Sequence, residues 1–184
     1  MKRNEETILI DGPVGAIETL VENPGAPRGI ALTKAGRLVI SDDLGVSLVD
    51  LASPLTPLWR LAPLRAPGAW VASSPIVAPS GDVFVVDAGE DLVRIGGSTG
   101  AAAWRASLPA PAFTPALALS GDLYVAVSGP GNGVHAFDVN GTAWFTGFGS
   151  DLISPAVVDE IGQQVLIAAR HDRLRTIPIG ASSA

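Results

Sequence analysis

Apolar residues in this sequence fall in short runs, each ended by Gly, Ser, Asp, Asn or Pro. Runs of about four to six residues between turn residues predict β-strands rather than helices. The stretch 75–106 shows the pattern clearly. It predicts strands over 75–78, 82–86, 92–95 and 102–106, with turns at Ser80-Gly81, Gly89-Glu90-Asp91 and 97–100. The next unit repeats this with a longer loop over 128–133. Pro75, Pro115 and Pro155 fit the first residue of a strand, where a missing N–H costs least. An alternation of strands and helices would need amphipathic segments of about ten residues or more. Only 14–22 and 101–108 approach that, and both are shorter. The chain reads as all-β.

The runs form a repeat. A turn glycine followed by an apolar run occurs at Gly36, Gly81, Gly121 and Gly162, with spacings of 45, 40 and 41. Ser74-Pro75, Thr114-Pro115 and Ser154-Pro155 precede three of them, 40 residues apart. Trp59, Trp104 and Trp144 each lie 23 residues after their glycine. A period of about 40–45 residues with four short strands per unit is the signature of β-propeller blades. The expected organisation is a single domain over 1–184. It comprises an N-terminal hairpin over 1–26 and about four blades over 27–66, 67–108, 109–149 and 150–180. The offset of 23 places a fourth Trp at 185, so the fourth unit shows runs for three strands: 155–158, 164–168 and 174–179. Runs at 6–11 and 16–22 precede the first full unit. The expectation is that 16–22 completes the last blade beside 174–179, within one chain or between two, which removes an open sheet edge.

Composition narrows the class. Hydrophobic residues make up 47% and charged residues 16%, which excludes a solvated disordered chain. Gly and Pro number 21 and 15, enough to break up any long helix. With Cys 0 there is no disulfide, thiol nucleophile or cysteine metal site. The net charge of −6 argues against a nucleic-acid surface. Glu5 and Glu6 stand where a signal peptide has its apolar stretch, and the longest uncharged runs, 66–81 and 106–121, each hold three prolines. The expectation is a soluble chain with no membrane span and no signal peptide, its compartment open.

The units also resemble a known repeat. Ser74-Pro75-Ile76-Val77, Gly81-Asp82-Val83-Phe84-Val85, Leu92-Val93-Arg94-Ile95 and Thr99-Gly100-Ala101-Ala102-Ala103-Trp104 together resemble the PQQ-type propeller repeat. Asp138-Val139-Asn140-Gly141-Thr142-Ala143-Trp144 is a second, shorter copy of its Gly-to-Trp segment. That repeat occurs in quinoprotein alcohol dehydrogenases and in the outer-membrane assembly lipoprotein of the same fold. The first unit departs from it with Pro54 and Pro57 near the expected glycine, and the fourth lacks the Trp. The resemblance implies a propeller covering roughly 27–180. In the dehydrogenases the quinone stacks on a Trp and a Cys–Cys disulfide beside Ca²⁺, and no residue here carries those roles over. No cofactor is expected.

Candidate chemistry is sparse. Gly96-Gly97-Ser98-Thr99-Gly100 matches the nucleophile-elbow pattern of α/β-hydrolases, with Asp138, Asp151 or Asp159 and then His171 completing the order Ser, Asp, His. The run from Ile8 to Glu18 and Pro27-Arg28-Gly29-Ile30-Ala31-Leu32 resemble the opening strands of small bacterial α/β-hydrolases. Against this, Thr33-Lys34-Ala35-Gly36 stands where an oxyanion loop belongs, and Ser98 falls at a repeat turn whose counterparts lie near Ser53 and Asn140. His135 reads as a strand-surface residue and His171 as a turn residue. Acidic or polar turns at Asp42-Asp43, Glu90-Asp91, Asn132 and His171-Asp172 would rim one face of a propeller, as solvated turns do. Trp59, Trp104 and Trp144 read as blade-to-blade packing, and Trp70 falls outside the repeat. The sequence therefore points to a non-catalytic binding or assembly module with a protein or small-molecule partner, and to a homo-oligomer if four units do not close a ring. No catalytic, cofactor-binding or metal-binding residue is assigned. An esterase using Ser98 and His171 is the alternative, and a fragment of a quinoprotein-type enzyme the second.

Overall fold

The computed structural model describes residues 6–11, 17–23, 27–52, 56–62, 73–87, 90–129, 132–148, 151–170 and 173–180. Among them there are seventeen strands and no helix. After β1 (Glu6–Asp11) and β2 (Ile17–Asn23), blade 1 comprises β3 (Pro27–Leu32), β4 (Leu38–Asp42), β5 (Gly45–Val49) and β6 (Pro57–Leu61). Blade 2 comprises β7 (Ile76–Val77), β8 (Val83–Asp87), β9 (Asp91–Ile95) and β10 (Ala102–Ser107). Blade 3 comprises β11 (Ala116–Leu117), β12 (Leu123–Val127), β13 (Gly133–Phe137) and β14 (Ala143–Gly147). Blade 4 comprises β15 (Val157–Asp159), β16 (Gln164–Ala169) and β17 (Arg173–Pro178). Each blade is an antiparallel meander of sequential neighbours.

Burial explains why the strands read as they do. The second and third strands of the first three blades are buried on both faces, hence their continuous apolar runs (Leu-Val-Ile-Ser-Asp, Val-Phe-Val-Val-Asp, Leu-Tyr-Val-Ala-Val). The fourth strands alternate between exposed and half-buried positions, as outer strands should. Each blade turns one face to the blade before it and the other, here called its leading face, to the blade after it. Val39 and Leu48 of blade 1 pack against Val83, Val85 and Ile95 of blade 2. Phe84, Val86 and Leu92 pack against Leu123, Val125 and Phe137 of blade 3. Tyr124, Ala126 and Val134 pack against Val165, Ile167 and Ile177 of blade 4.

Two expectations are corrected. The hairpin β1–β2 forms a two-stranded sheet of its own and does not join β17 within the chain. Its strands are linked by five residues, so they pair at a low loop-closure cost, whereas reaching β17 requires the two ends of the four-blade array to meet. The fourth unit also turns at a different residue. Gly36, Gly81 and Gly121 carry the positive φ of the first turn, but in blade 4 that role falls to Gln163 (φ 51), one residue past Gly162. The turn is one residue longer there and is capped by Asp159, whose Oδ1 accepts from Gly162 N at 2.8 Å.

Candidate functional site

In blade 2 the turn linking first to second strands is tied to the turn linking third to fourth. Asp82 receives Arg94 Nη2 at 2.6 Å and Nε at 3.1 Å on Oδ2, and Gly97 N at 3.2 Å on Oδ1. Burial raises the Asp82 carboxyl, but the hydrogen bonds from Arg94 and Gly97 outweigh it and hold it below the usual carboxylate range. In blade 3, Asp138 Oδ1 accepts from Thr142 N and Asn140 N, both at 2.8 Å, and these bonds lower its pKa. Between blades 1 and 2 these turns leave an open cleft of about 300 Å³ bordered by Lys34, Arg37, Ser80, Asp82 and Ser98.

At the opposite ends of the strands, between second and third, acidic side chains are drawn inward. Asp42 is buried and takes both carboxylate oxygens to Arg60 Nη2, at 2.8 and 2.6 Å, while Oδ1 also accepts from Leu44 N. Asp91 is buried, bonded to Arg105 Nη2 and to Ser107 Oγ at 2.7 Å. Arg60 and Arg105 occupy the same rung of the fourth strand, opposite Ser47 and Val93. In blade 3 that rung holds Phe145, whose ring meets His135 with centroids 4.6 Å apart. Two of the acids read as solvated turn residues are therefore buried and hold the fourth strand, Asp42 from the end of the second strand and Asp91 from the start of the third. The sequence carries a signal for this: Asp in the second-to-third hairpin is followed 18 or 14 residues later by an Arg in the outer strand.

The turn around Ser98 is not built as a nucleophile elbow. Ser98 is exposed on the hairpin turn between β9 and β10, where Gly100 N donates to Gly96 O at 2.8 Å. A nucleophile elbow needs a strand running into a helix, and here a second antiparallel strand follows. The carboxylates are spread over other turns and used there: Asp138 within blade 3, Asp151 paired with Arg170 at 3.4 Å, and Asp159 capping the blade 4 turn. His171, Asp172 and Trp70 lie outside the described residues. Among the described residues no group of three His, Asp or Glu could hold a metal ion. No helix among them is long and apolar enough to cross a membrane.

The tryptophans are the clearest device: Trp59 and Trp104 pack blade to blade as expected, and the structure adds the polar tie that each makes. Trp59 Nε1 donates to Gly97 O at 2.8 Å, and Trp104 Nε1 donates to Val139 O at 3.0 Å. Each indole thus reaches the third turn of the following blade. The ring lies on that turn's glycine: a Cβ on Gly100 would stand 2.6 Å from Trp59, and one on Gly141 3.2 Å from Trp104. Between blades 3 and 4, Tyr124 supplies the polar tie, its hydroxyl accepting from Gly180 N at 2.9 Å.

Comparison with known proteins settles the fold. No family model matches the chain, and no curated protein does so either. Among solved structures it is similar to the computationally designed Ika4 protein, with a TM-score of 0.71 at 13% identity over 89% of this chain and 99% of that one. It is similar to BamB from Moraxella catarrhalis, with a TM-score of 0.71 at 17% identity over 97% of this chain and 57% of that one. It is also similar to virginiamycin B lyase from Staphylococcus aureus, with a TM-score of 0.61 at 17% identity over 88% of this chain and 58% of that one. The chain is a β-propeller repeat protein, as its repeat implies. It spans rather more than half the length of the BamB and lyase chains.

Proposed function

We propose that the chain is a non-catalytic PQQ-like propeller module that binds or assembles with a partner. The use of its reactive side chains supports this reading. The buried carboxylates Asp42 and Asp91 are paired with arginines of their own blades, His135 lies against the Phe145 ring, and Ser98 stands on an exposed hairpin turn. Catalysis by a nucleophile needs a base within hydrogen-bond reach and a group orienting that base, and among the described residues no hydrogen bond ties Ser98 to such a base. The quinoprotein reading lacks support from the residues as well, since a chain with Cys 0 has no disulfide on which a quinone could stack. The likeness to both a lyase and BamB shows that one fold hosts unlike roles, so the residues carry the proposal.

The test uses the full chain with an activated short-chain ester. The expected result is hydrolysis at the buffer rate, unchanged by Ser98→Ala. Turnover abolished by both Ser98→Ala and His171→Ala would establish the esterase instead.

A further inference from the structure

Equivalent rungs show what blade 4 lacks. Leu123 opposite Phe137 in blade 3 corresponds to Val165 opposite Ile177 in blade 4, both pairs facing the preceding blade. The leading face of blade 3 is then Tyr124, Ala126, Val134 and Ala136, each no more than 1% exposed. The same positions in blade 4 are Leu166, Ala168, Leu174 and Thr176. There Leu174 is 67% exposed, and its neighbour on the same face, Val157, is 58% exposed. Blade 4 also has an open edge: β17 pairs with β16 alone among the described residues, whereas the third strands of the other blades carry β6, β10 and β14.

The N-terminal hairpin has the complementary surplus. Ala31, Ala116 and Val157 occupy one rung of the innermost strand, opposite Val39, Tyr124 and Leu166. From the end of β10 at Ser107 to Ala116 is nine residues, and from the end of β14 at Gly147 to Val157 is ten. From the end of β2 at Asn23 to Ala31 is eight. From the end of β6 at Leu61 to Ile76 on the same rung is fifteen, so β2 matches the two shorter junctions and stands where the outermost strand of a blade preceding blade 1 belongs, yet among the described residues it pairs only with β1.

We infer that β2 of one copy is the fourth strand of blade 4 in a second copy, and reciprocally. Two chains then close one eight-bladed ring through two identical junctions, each adding β2 to the open edge of β17. Strand addition satisfies the row of unpaired N–H and C=O groups that an edge presents. The apolar leading face of blade 4 is covered in the same step, by the blade that follows β2 in its own chain. On the receiving side of blade 1, Leu38, Ile40 and Val49 are buried with Leu51 packed against them, and in the ring this side faces blade 4 of the second copy. The chain superposes with a TM-score of 0.71 both on 99% of the designed Ika4 chain and on 51% of the designed Ika8 chain, so the same arc of blades occurs in a chain of this length and as half of one about twice as long. A closed head-to-tail pair leaves no free end to propagate a fibre. This inference is independent of the non-catalytic reading, and its readout is assembly rather than turnover.

The test is sedimentation equilibrium of the full chain, with cysteine cross-linking on its cysteine-free background. Thr19→Cys in β2 is placed in one tagged chain and Thr176→Cys in β17 in another, and the two are mixed and treated with a flexible bis-maleimide. The expected results are a two-chain mass and a cross-link joining the two tags. A second variant, Leu174→Asp, changes a side chain that is exposed in the single chain. It should leave the single chain folded by circular dichroism and weaken the pair by about tenfold or more. A single-chain mass, or a cross-link formed only within a chain carrying both cysteines, would overturn the inference. So would an open-ended series of larger species.

Discussion

The junction between blades 1 and 2 and the junction between blades 2 and 3 use one lock with different surroundings. In both, a fourth-strand Trp donates its indole N–H to the third turn of the next blade and lies over a glycine of that turn. At the first junction the rest of the contact is aliphatic, built from Val39, Val46, Leu48, Val83, Val85 and Ile95. At the second, Trp104 sits between Phe84 and Phe137, with ring centroids at 6.0 and 6.2 Å. The polar ties differ too. Leu48 and Arg94 hold the same rung of the third strand, opposite Val39 and Phe84. Leu48 is buried in the first junction, whereas Arg94 spans from Asp82 to Val139 O, the carbonyl that Trp104 also uses. The repeat therefore conserves a geometry, indole on glycine and carbonyl, and leaves the composition around it free.

The largest effects should come from removing the indoles. Trp59→Ala is expected to destabilise the domain by about 3 kcal/mol, in the range for deleting a large aromatic side chain from a packed site. Trp104→Ala should cost about 1 kcal/mol more, because two aromatic contacts are lost as well. Denaturant midpoints at constant m-value measure both. Equal losses would mean that the aromatic surroundings of Trp104 add nothing beyond apolar contact.

The glycines under the indoles come next. Gly100 has φ 68 and Gly141 φ 86, a left-handed conformation in which any Cβ is strained by about 1–2 kcal/mol. An added methyl would overlap the Trp59 ring at 2.6 Å but would only press on Trp104 at 3.2 Å. Gly100→Ala should therefore cost about 2–3 kcal/mol and Gly141→Ala about 1–2 kcal/mol. A reversed order in thermal melts would show that the aliphatic junction yields more readily than the aromatic one.

Much of this was legible in the sequence, and what was not has a physical reason. The strands over 83–87, 91–95 and 102–107 fall within a residue or two of their expected positions, because short apolar runs between Gly-Asp and Gly-Ser turns admit few other conformations. The constant Gly-to-Trp offset marked the outer strands. Blade-to-blade packing was read from it, but not the carbonyl that Trp59 and Trp104 each bond, because that contact spans 38 residues from Trp59 to Gly97 and depends on how blades stack. The fourth unit misled for a local reason. Gly162 was in phase, but the left-handed residue is Gln163, and a longer turn held by Asp159 shifts the register by one. Asp42 and Asp91 looked like solvated turn acids because nothing within the hairpin itself announces a partner arginine in the fourth strand.

The smallest expected effect separates the two junctions by pH. Asp82 has its folded pKa lowered below the ordinary 3.8, with the hydrogen bonds from Arg94 and Gly97 outweighing its burial. A carboxyl with a depressed folded pKa contributes stability that is present above its unfolded pKa and lost as pH falls through the folded value. The Arg94 tie should therefore be intact at pH 7 and begin to fail below about pH 4, and only at the junction of blades 2 and 3. Its contribution should be about 1 kcal/mol or less, since the Asp82 and Arg94 side chains are 19% and 25% exposed. Asp138 and Asp159 also have lowered pKa values and add an acid-dependent background common to every variant. Arg94→Leu places at the second junction the residue that the first already has. Unfolding free energies at pH 7 and pH 3 should then differ less for Arg94→Leu than for the parent, with the loss confined to neutral pH. An equal pH dependence in the two proteins would assign the acid sensitivity to Asp138 and Asp159 and leave Arg94 without a stabilising role at that junction.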